Sequence, residues 1–290
     1  MKAILICPDH PPALAALAES VPLPAVPLLG FSLLEYWLGH LVTLGAKDVQ
    51  VLAADRPDQV REALGDGARW GLRLQVVPAP RELAPEEARD RYRAGDPAPW
   101  LPAPNDCALL DHLPCLPHQP LLTSYAAWFA AAVALMPHSV TPDRLGIHEV
   151  QPGVWLGLHA QVARDARLIP PCWLGAETRV EGRAVIGPDA ILENGVFVSR
   201  GAEVAQSLVG PETFVGRYTE LRNSIAWGST LVNWQRDSCL RVPDAFLLCS
   251  LAPPRPVPRR ARTAAPNRAP RTVRQFLTRA LTEFVPPRGS

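Results

Sequence analysis

The sequence predicts two folds in series, an α/β Rossmann-like N-terminal domain and a left-handed parallel β-helix built from hexapeptide repeats. Three observations predict this. Counting from Leu156 in steps of six gives Val162, Leu168, Leu174, Val180, Ile186, Leu192, Val198 and Val204, so nine consecutive positions are aliphatic. Short apolar runs alternate with helical patterns over the first 145 residues, which implies parallel βαβ units. The 290 residues are 48% hydrophobic and 20% charged, enough to bury the core of one large or two small domains.

Taken in order, residues 2–7 read as a buried strand. Residues 33–44 carry apolar residues at helical spacing and stop at Gly45. Residues 48–53 read as a second strand, 57–68 as a helix and 72–77 as a third strand. A proline-rich, charged stretch fills 78–105. Residues 107–110 form a fourth strand ending at Asp111, and 123–135 form a helix leading into the repeats.

In the repeats, the residue after each aliphatic is usually small: Gly157, Ala163, Gly175, Gly187, Ser199, Ala205. A period of six with small corner residues is the signature of a triangular coil of short strands, whereas ordinary alternating strands would show period two. At a background aliphatic frequency of roughly a third, nine in a row is about a one in 10⁴ event. After one five-residue slip the register resumes at Val209, Val215, Leu221 and Trp227. The expected organisation is α/β over 1–122, a connecting helix and linker over 123–146, the β-helix over 147–250, a Pro/Arg-rich linker over 251–272 and a C-terminal helix and tail over 273–290.

Composition excludes several classes. No apolar run approaches the roughly 18–20 residues of a membrane helix, and the opening segment is too short for a signal peptide. A cytoplasmic protein is expected. The six cysteines form no CxxC pair, so no zinc knuckle or disulfide scaffold is indicated. Cys107 and Cys115 are expected to pack as small hydrophobes. Lys2 and Lys47 are the only lysines. Residues 1–250 carry a net charge of −7, whereas residues 251–290 hold nine arginines and one acid, net +8. That basic tail is expected to act as a solvated linker that can fold back on the acidic body, with contact with an anionic surface as the second reading. Nucleic acid is not expected as a partner, because no aromatic residue interleaves the arginines before Phe276.

Two segments carry a family resemblance. Residues 24–36, PAVPLLGFSLLEY, look like a P-K-P-L-x-P-V-x-G-K-P-L-L-E-Y segment, and residues 64–72, LGDGARWGL, like a G-D-G-x-x-[FW]-G-[LV] turn. With the hexapeptides, they make the chain resemble the sugar-1-phosphate nucleotidyltransferases that carry a C-terminal left-handed β-helix, over about residues 1–235. The resemblance implies a nucleotide or NDP-sugar ligand, a catalytic Mg²⁺ held by a strand-terminal aspartate matching Asp111, and homo-oligomers formed through the β-helix.

The departures matter as much. Where the family has a glycine-rich loop whose N–H groups hold phosphates, residues 7–12 read CPDHPP. Three prolines offer no N–H, and Asp9 repels phosphate. The family's Pro-Lys lysine is missing, PRELAP at 80–85 replaces its L-G-T-A loop, and the α/β part is short. Residues 216–234 look like the acetyltransferase part of the bifunctional uridyltransferase/acetyltransferase. Asn233 stands in place of that pattern's general-base histidine, and Arg222 and Thr230 in place of its lysines.

Arg222, Asn233 and Asp111 are therefore the candidate ligand-binding residues, Asp111 is the candidate metal ligand, and no catalytic residue is assigned. His159 is expected on an outer edge of the first coil, and Trp155, Trp173, Trp227 and Trp234 as packing or interface residues. The expected function is that of a divergent, truncated and catalytically impaired relative that binds or scaffolds in sugar-nucleotide or polysaccharide biosynthesis. The alternatives are an active nucleotidyltransferase with a non-standard site and a hexapeptide acyltransferase.

Overall fold

The computed structural model describes residues 1–9, 12–139 and 146–253. The expected tail helix and the arginine-rich stretch lie outside the described residues. The N-terminal part is a four-stranded parallel sheet of β1 (Lys2–Ile6), β4 (Asp48–Ala53), β5 (Arg73–Pro78) and β6 (Cys107–Leu109), in the order β5-β4-β1-β6. A short antiparallel hairpin, β2 (Pro27–Leu28) and β3 (Phe31–Ser32), leads into α1 (Leu33–Thr43). Ser32 opens that helix with a reciprocal cap. Its hydroxyl accepts from the Glu35 N–H, and the Glu35 carboxylate accepts from the Ser32 N–H at 2.6 Å. Leu33, Leu34, Trp37, Leu38 and Leu41 form its buried face.

Two helices differ from expectation. α2 (Pro57–Leu64) ends four residues early because Gly65 and Gly67, both at positive φ, turn the chain. α3 (Pro85–Tyr92) rises inside the stretch read as irregular. Its sequence, PEEARDRY, shows no apolar stripe, and only Ala88 is buried. What holds it is charge: Arg89 donates twice to the fully buried Asp106 carboxylate (2.9 and 3.0 Å), and Arg93 also pairs with it.

Burial opposes ionisation of Asp106, but the hydrogen bonds and charges of the two arginines outweigh it, so its carboxyl titrates below the usual range. The carboxylate's stabilisation is therefore present above its unfolded pKa of about 4 and fades as pH falls below that. Asp106→Asn is expected to lose about 2 kcal/mol at pH 7 and to flatten the fall in stability between pH 5 and 3. Urea titrations across that range would expose the idea as wrong if the two pH profiles ran parallel.

α4 (Tyr125–Leu135) follows, apolar on nearly every side and capped by Ser124, whose hydroxyl accepts from the Ala127 N–H at 3.1 Å. No described helix is long and apolar enough to cross a membrane.

From Val154 to Trp227 the chain passes in strict rotation through three parallel sheets. The first holds Val154–Leu156, Cys172–Leu174, Ala190–Leu192, Ser207–Val209 and Ser224–Trp227; the second begins at Gln161–Val162 and the third at Arg167–Leu168. Each circuit lands beside the strand one coil earlier, as Trp173 pairs with Trp155 and Ile191 with Trp173. This is the strand order of a three-sided parallel β-helix. From Leu174 to Leu221 the predicted inward positions are buried in one cluster, with Leu156, Val162 and Leu168 packed against it. One coil further, Ala226, which pairs with Val209, is inward in place of the expected Trp227, because the chain slips by one more residue there. The backbone bends three residues past the inward position of the first sheet's strands, where His159, Glu177, Gly195 and Glu212 all take positive φ. Beyond Trp227 the coil stops. Thr230–Asn233 and Ser238–Arg241 run antiparallel at the end of the first sheet, and Leu248–Ser250 antiparallel to Thr213–Val215.

A second cluster joins the two parts. Trp155, Trp173, Ile191, Leu208, Ile225 and Val232 are buried in the same apolar cluster as α1, α4 and β1. They are the outward residues of the first sheet, stacked in register. Met1–Ala252 consequently forms one compact unit. Trp234 stacks on Phe129 at 4.9 Å between ring centroids. The four tryptophans thus face the α/β part, not the coil interior.

Candidate functional site

In an open α/β sheet, ligands bind beyond the carboxyl ends of the strands. Here those ends are occupied by the chain itself. The Asp9 N–H donates to the Glu82 carboxylate at 2.8 Å, and the Glu82 N–H donates to the Asp9 carboxylate at 3.2 Å, stapling the segment after β1 to the segment after β5. Two carboxylates stand where the resemblance expects backbone donors for phosphate.

The guanidinium of Arg81, next to Glu82, pairs with Glu87 at 2.7 Å and donates to the Glu82 carbonyl at 2.9 Å, and Arg56 is committed elsewhere too. It donates to the carbonyls of Ala18 (2.8 Å) and Val21 (3.1 Å) and pairs with Asp55 at 2.7 Å. Cys7, directly after β1, is buried, and desolvation pushes its thiol up to about 12. Cys107 and Cys172 are buried with the same upward shift, so none of the three is a thiolate at neutral pH. Cys115, by contrast, is exposed; in its loop the buried positions go to Leu113 and Leu121 instead.

Asp111 follows β6, and its carboxylate meets His112 Nδ1 at 2.6 Å. Trp37 holds His112 in place, with its indole N–H on the His112 carbonyl at 2.9 Å and its ring edge-on to the imidazole. Magnesium prefers an oxygen shell, and the group that Asp111 meets is an imidazole nitrogen. Among the described residues no three His, Cys, Asp or Glu side chains are grouped to hold a metal ion. These surroundings do not fit Mg²⁺.

Arg222 is exposed and paired with Glu220 and, at 3.4 Å, Glu203. Asn233 sits at the turn between the last two strands of the first sheet, where its side-chain oxygen accepts from the Gln235 and Arg236 N–H groups at 3.1 and 3.0 Å. Its contacts are those of a turn cap. Asp111 belongs to the α/β sheet edge, Arg222 to the coil and Asn233 to the antiparallel strands beyond it, so the three do not converge on one cavity. His159 is exposed, as expected.

Two places the sequence reading passed over are more informative. The first is a cleft of about 550 Å³ lined by Pro12, Ala16 and Tyr125 on one side and Thr230, Cys239 and Leu240 on the other. An ion pair, Arg241–Glu19 at 2.5 Å, forms part of its lining, as does Asp237. The second is the junction. Leu29 (φ 51) and Gly30 (φ 82) form the tip of the β2–β3 hairpin, and both N–H groups point at the fully buried Glu193 carboxylate, at 2.5 and 2.8 Å. A two-residue hairpin with both φ positive is a type I′ turn, which explains the glycine. The resemblance motif at 24–36 therefore serves here to anchor the β-helix. In the other motif, Gly67 is required by crowding: a Cβ there would lie 2.6 Å from the Leu72 carbonyl oxygen.

No protein-family model matches this chain. The bifunctional protein GlmU of Mycobacterium sp. (strain KMS) is 36% identical over 93 residues, 30% of this chain and 18% of that protein. GlmU of Corynebacterium jeikeium (strain K411) is 35% identical over 106 residues, 34% and 22% respectively. GlmU of Pseudarthrobacter chlorophenolicus is 35% identical over 91 residues, 29% and 18%. Over about a third of its length, the chain is similar to GlmU. The matches span roughly a fifth of each GlmU, and they support the resemblance read from the motifs.

Proposed function

We propose that this GlmU-like chain carries its α/β part on a left-handed β-helix, does not transfer nucleotides, and acts by binding or scaffolding in sugar-nucleotide or polysaccharide biosynthesis. The observation that carries this reading is the reciprocal bridge between Asp9 and Glu82. Nucleotidyl transfer depends on preorganised donors and cations around phosphate. Two carboxylates bridging the strand ends supply the opposite charge, and Arg56 cannot replace the missing lysine while two carbonyls hold it. A small ligand would find its place in the 550 Å³ cleft beside Tyr125, which combines apolar side chains with the charged groups of Glu19, Asp237 and Arg241. One face of the coil is covered by the α/β part, so homo-oligomers would form through the other two.

The test is pyrophosphate exchange with each nucleoside triphosphate and a panel of sugar 1-phosphates, with Mg²⁺ present. Exchange is expected to stay at background, and Asp111→Ala to change nothing. Sustained exchange that disappears in Asp111→Ala would replace this reading with an active nucleotidyltransferase. Melting temperatures with the same compounds and with acetyl-CoA separate nucleotide or NDP-sugar binding from an acyltransferase role.

A further inference from the structure

The corner between the second and third sheets carries arginines that form no ion pair among the described residues. Strand register makes Arg164, Gly182, Arg200 and Arg217 equivalent, and likewise Asp165, Arg183, Gly201 and Tyr218. Four successive corners therefore each present one arginine, on rungs about 4.8 Å apart. Like charges stacked in register repel and destabilise a sheet. Nine arginines among the described residues sit in ion pairs, and none of the nine is at this corner.

The same corner is concave. A groove of about 610 Å³ is lined by Arg179, Arg200 and Arg217, with Gln161 and the edges of Val162 and Val180 as its floor. Two carboxylates also line it, Asp165 and Glu181. Glu181 is engaged by the Arg200 backbone N–H at 2.9 Å, and Asp165 lies against Gly182, where a Cβ would come within 2.5 Å of it. Neither forms an ion pair with a groove arginine among the described residues. Tyr218, 73% exposed, lies over Gly201 on the same corner and offers an aromatic face.

We propose that this groove is a binding site for an oligophosphate, free or carried on a nucleotide. Forked guanidinium groups suit phosphate oxygens, the three groove arginines outnumber its two carboxylates, and a bound polyanion relieves the repulsion between Arg200 and Arg217, which occupy equivalent positions on adjacent rungs. The site is separate from the strand ends bridged by Asp9 and Glu82, so it stands or falls independently of the function proposed above.

The experiment is calorimetric titration of the full chain with inorganic pyrophosphate and with adenosine diphosphate, against sulfate at matched ionic strength. Pyrophosphate is expected to bind, and Arg200→Gln with Arg217→Gln to weaken it about 10-fold or more. That double variant should melt no lower than the parent, because it removes repulsion and breaks no ion pair. Tighter binding of the diphosphate nucleotide, reversed by Tyr218→Ala, identifies a nucleotide as the ligand; equal binding identifies the free oligophosphate. Absence of binding, affinity unchanged in the double variant, or equal binding of sulfate would each overturn the proposal. Should the glutamine pair fold poorly, Arg200→Lys with Arg217→Lys keeps the charge and removes the fork, and unchanged affinity there is equally fatal.

Discussion

Glu193→Ala is expected to cost about 3 kcal/mol of unfolding free energy, because it strands the Leu29 and Gly30 N–H groups, each worth about 1–3 kcal/mol when buried without an acceptor. The carboxylate lies inside the junction, and both donors sit in a turn whose backbone requires positive φ twice. Leu29 is the costly member, since a branched side chain resists the left-handed region. Without the carboxylate holding it, the hairpin tip loses its anchor on the coil. The expected signature in urea is a split transition, with the α/β part melting before the coil. Glu220→Ala, which removes an exposed carboxylate paired with Arg222, should stay within about 0.5 kcal/mol of the parent. If the two alanine variants melted alike, Glu193 would not be an anchor.

Trp173→Ala is expected to cost about 4 kcal/mol, in the range for buried aromatic truncations. Trp173 is fully buried, lies in register between Trp155 and Ile191, and places its ring 3.5 Å from where a Gly30 Cβ would be. Its indole N–H has no hydrogen-bond partner among the described residues, so Trp173→Phe should recover most of the loss. An equal penalty for both variants would point to the N–H instead of the ring surface. Because Glu193 and Trp173 grip the same hairpin tip, their effects should not add. A double-mutant cycle should give a coupling of about 1 kcal/mol, and strict additivity would mean that the two contacts act separately.

The coil was legible because its rule is local: one aliphatic in six residues points inward, and the burial of Leu174, Val180, Ile186 and Leu192 follows from that spacing. β4 matches its expected residues, and β1, β5, β6 and α1 lie within a residue of theirs, since short apolar runs between glycines and prolines leave few alternatives. α3 was not legible. An eight-residue helix held by Arg89 and Arg93 on a buried aspartate has no apolar stripe to read. The junction left traces that went unread. Every third coil strand carries an apolar residue just before the inward one, giving Trp155, Trp173, Ile191, Leu208 and Ile225. Glu193 itself is a break in the run of small corner residues.

The candidate site was legible mainly through what it lacks. Prolines and Asp9 after β1 argue against a phosphate loop without any coordinates. The bridge to Glu82 could not be read, because it joins residues 73 positions apart. Asp111, Arg222 and Asn233 stand out only by resemblance to a pattern, and their neighbours, an imidazole, two glutamates and a turn backbone, are set by folding.

By itself, then, the sequence determined the two repeating architectures, their order and the missing glycine loop, since periodicity and backbone chemistry act over a few residues. The tertiary structure decided which coil face the α/β part covers, which carboxylate meets Leu29 and Gly30, and which arginines are left without a partner. Those contacts join residues as many as 164 positions apart, and no local pattern specifies which long-range partner a buried charge or an outward tryptophan will find.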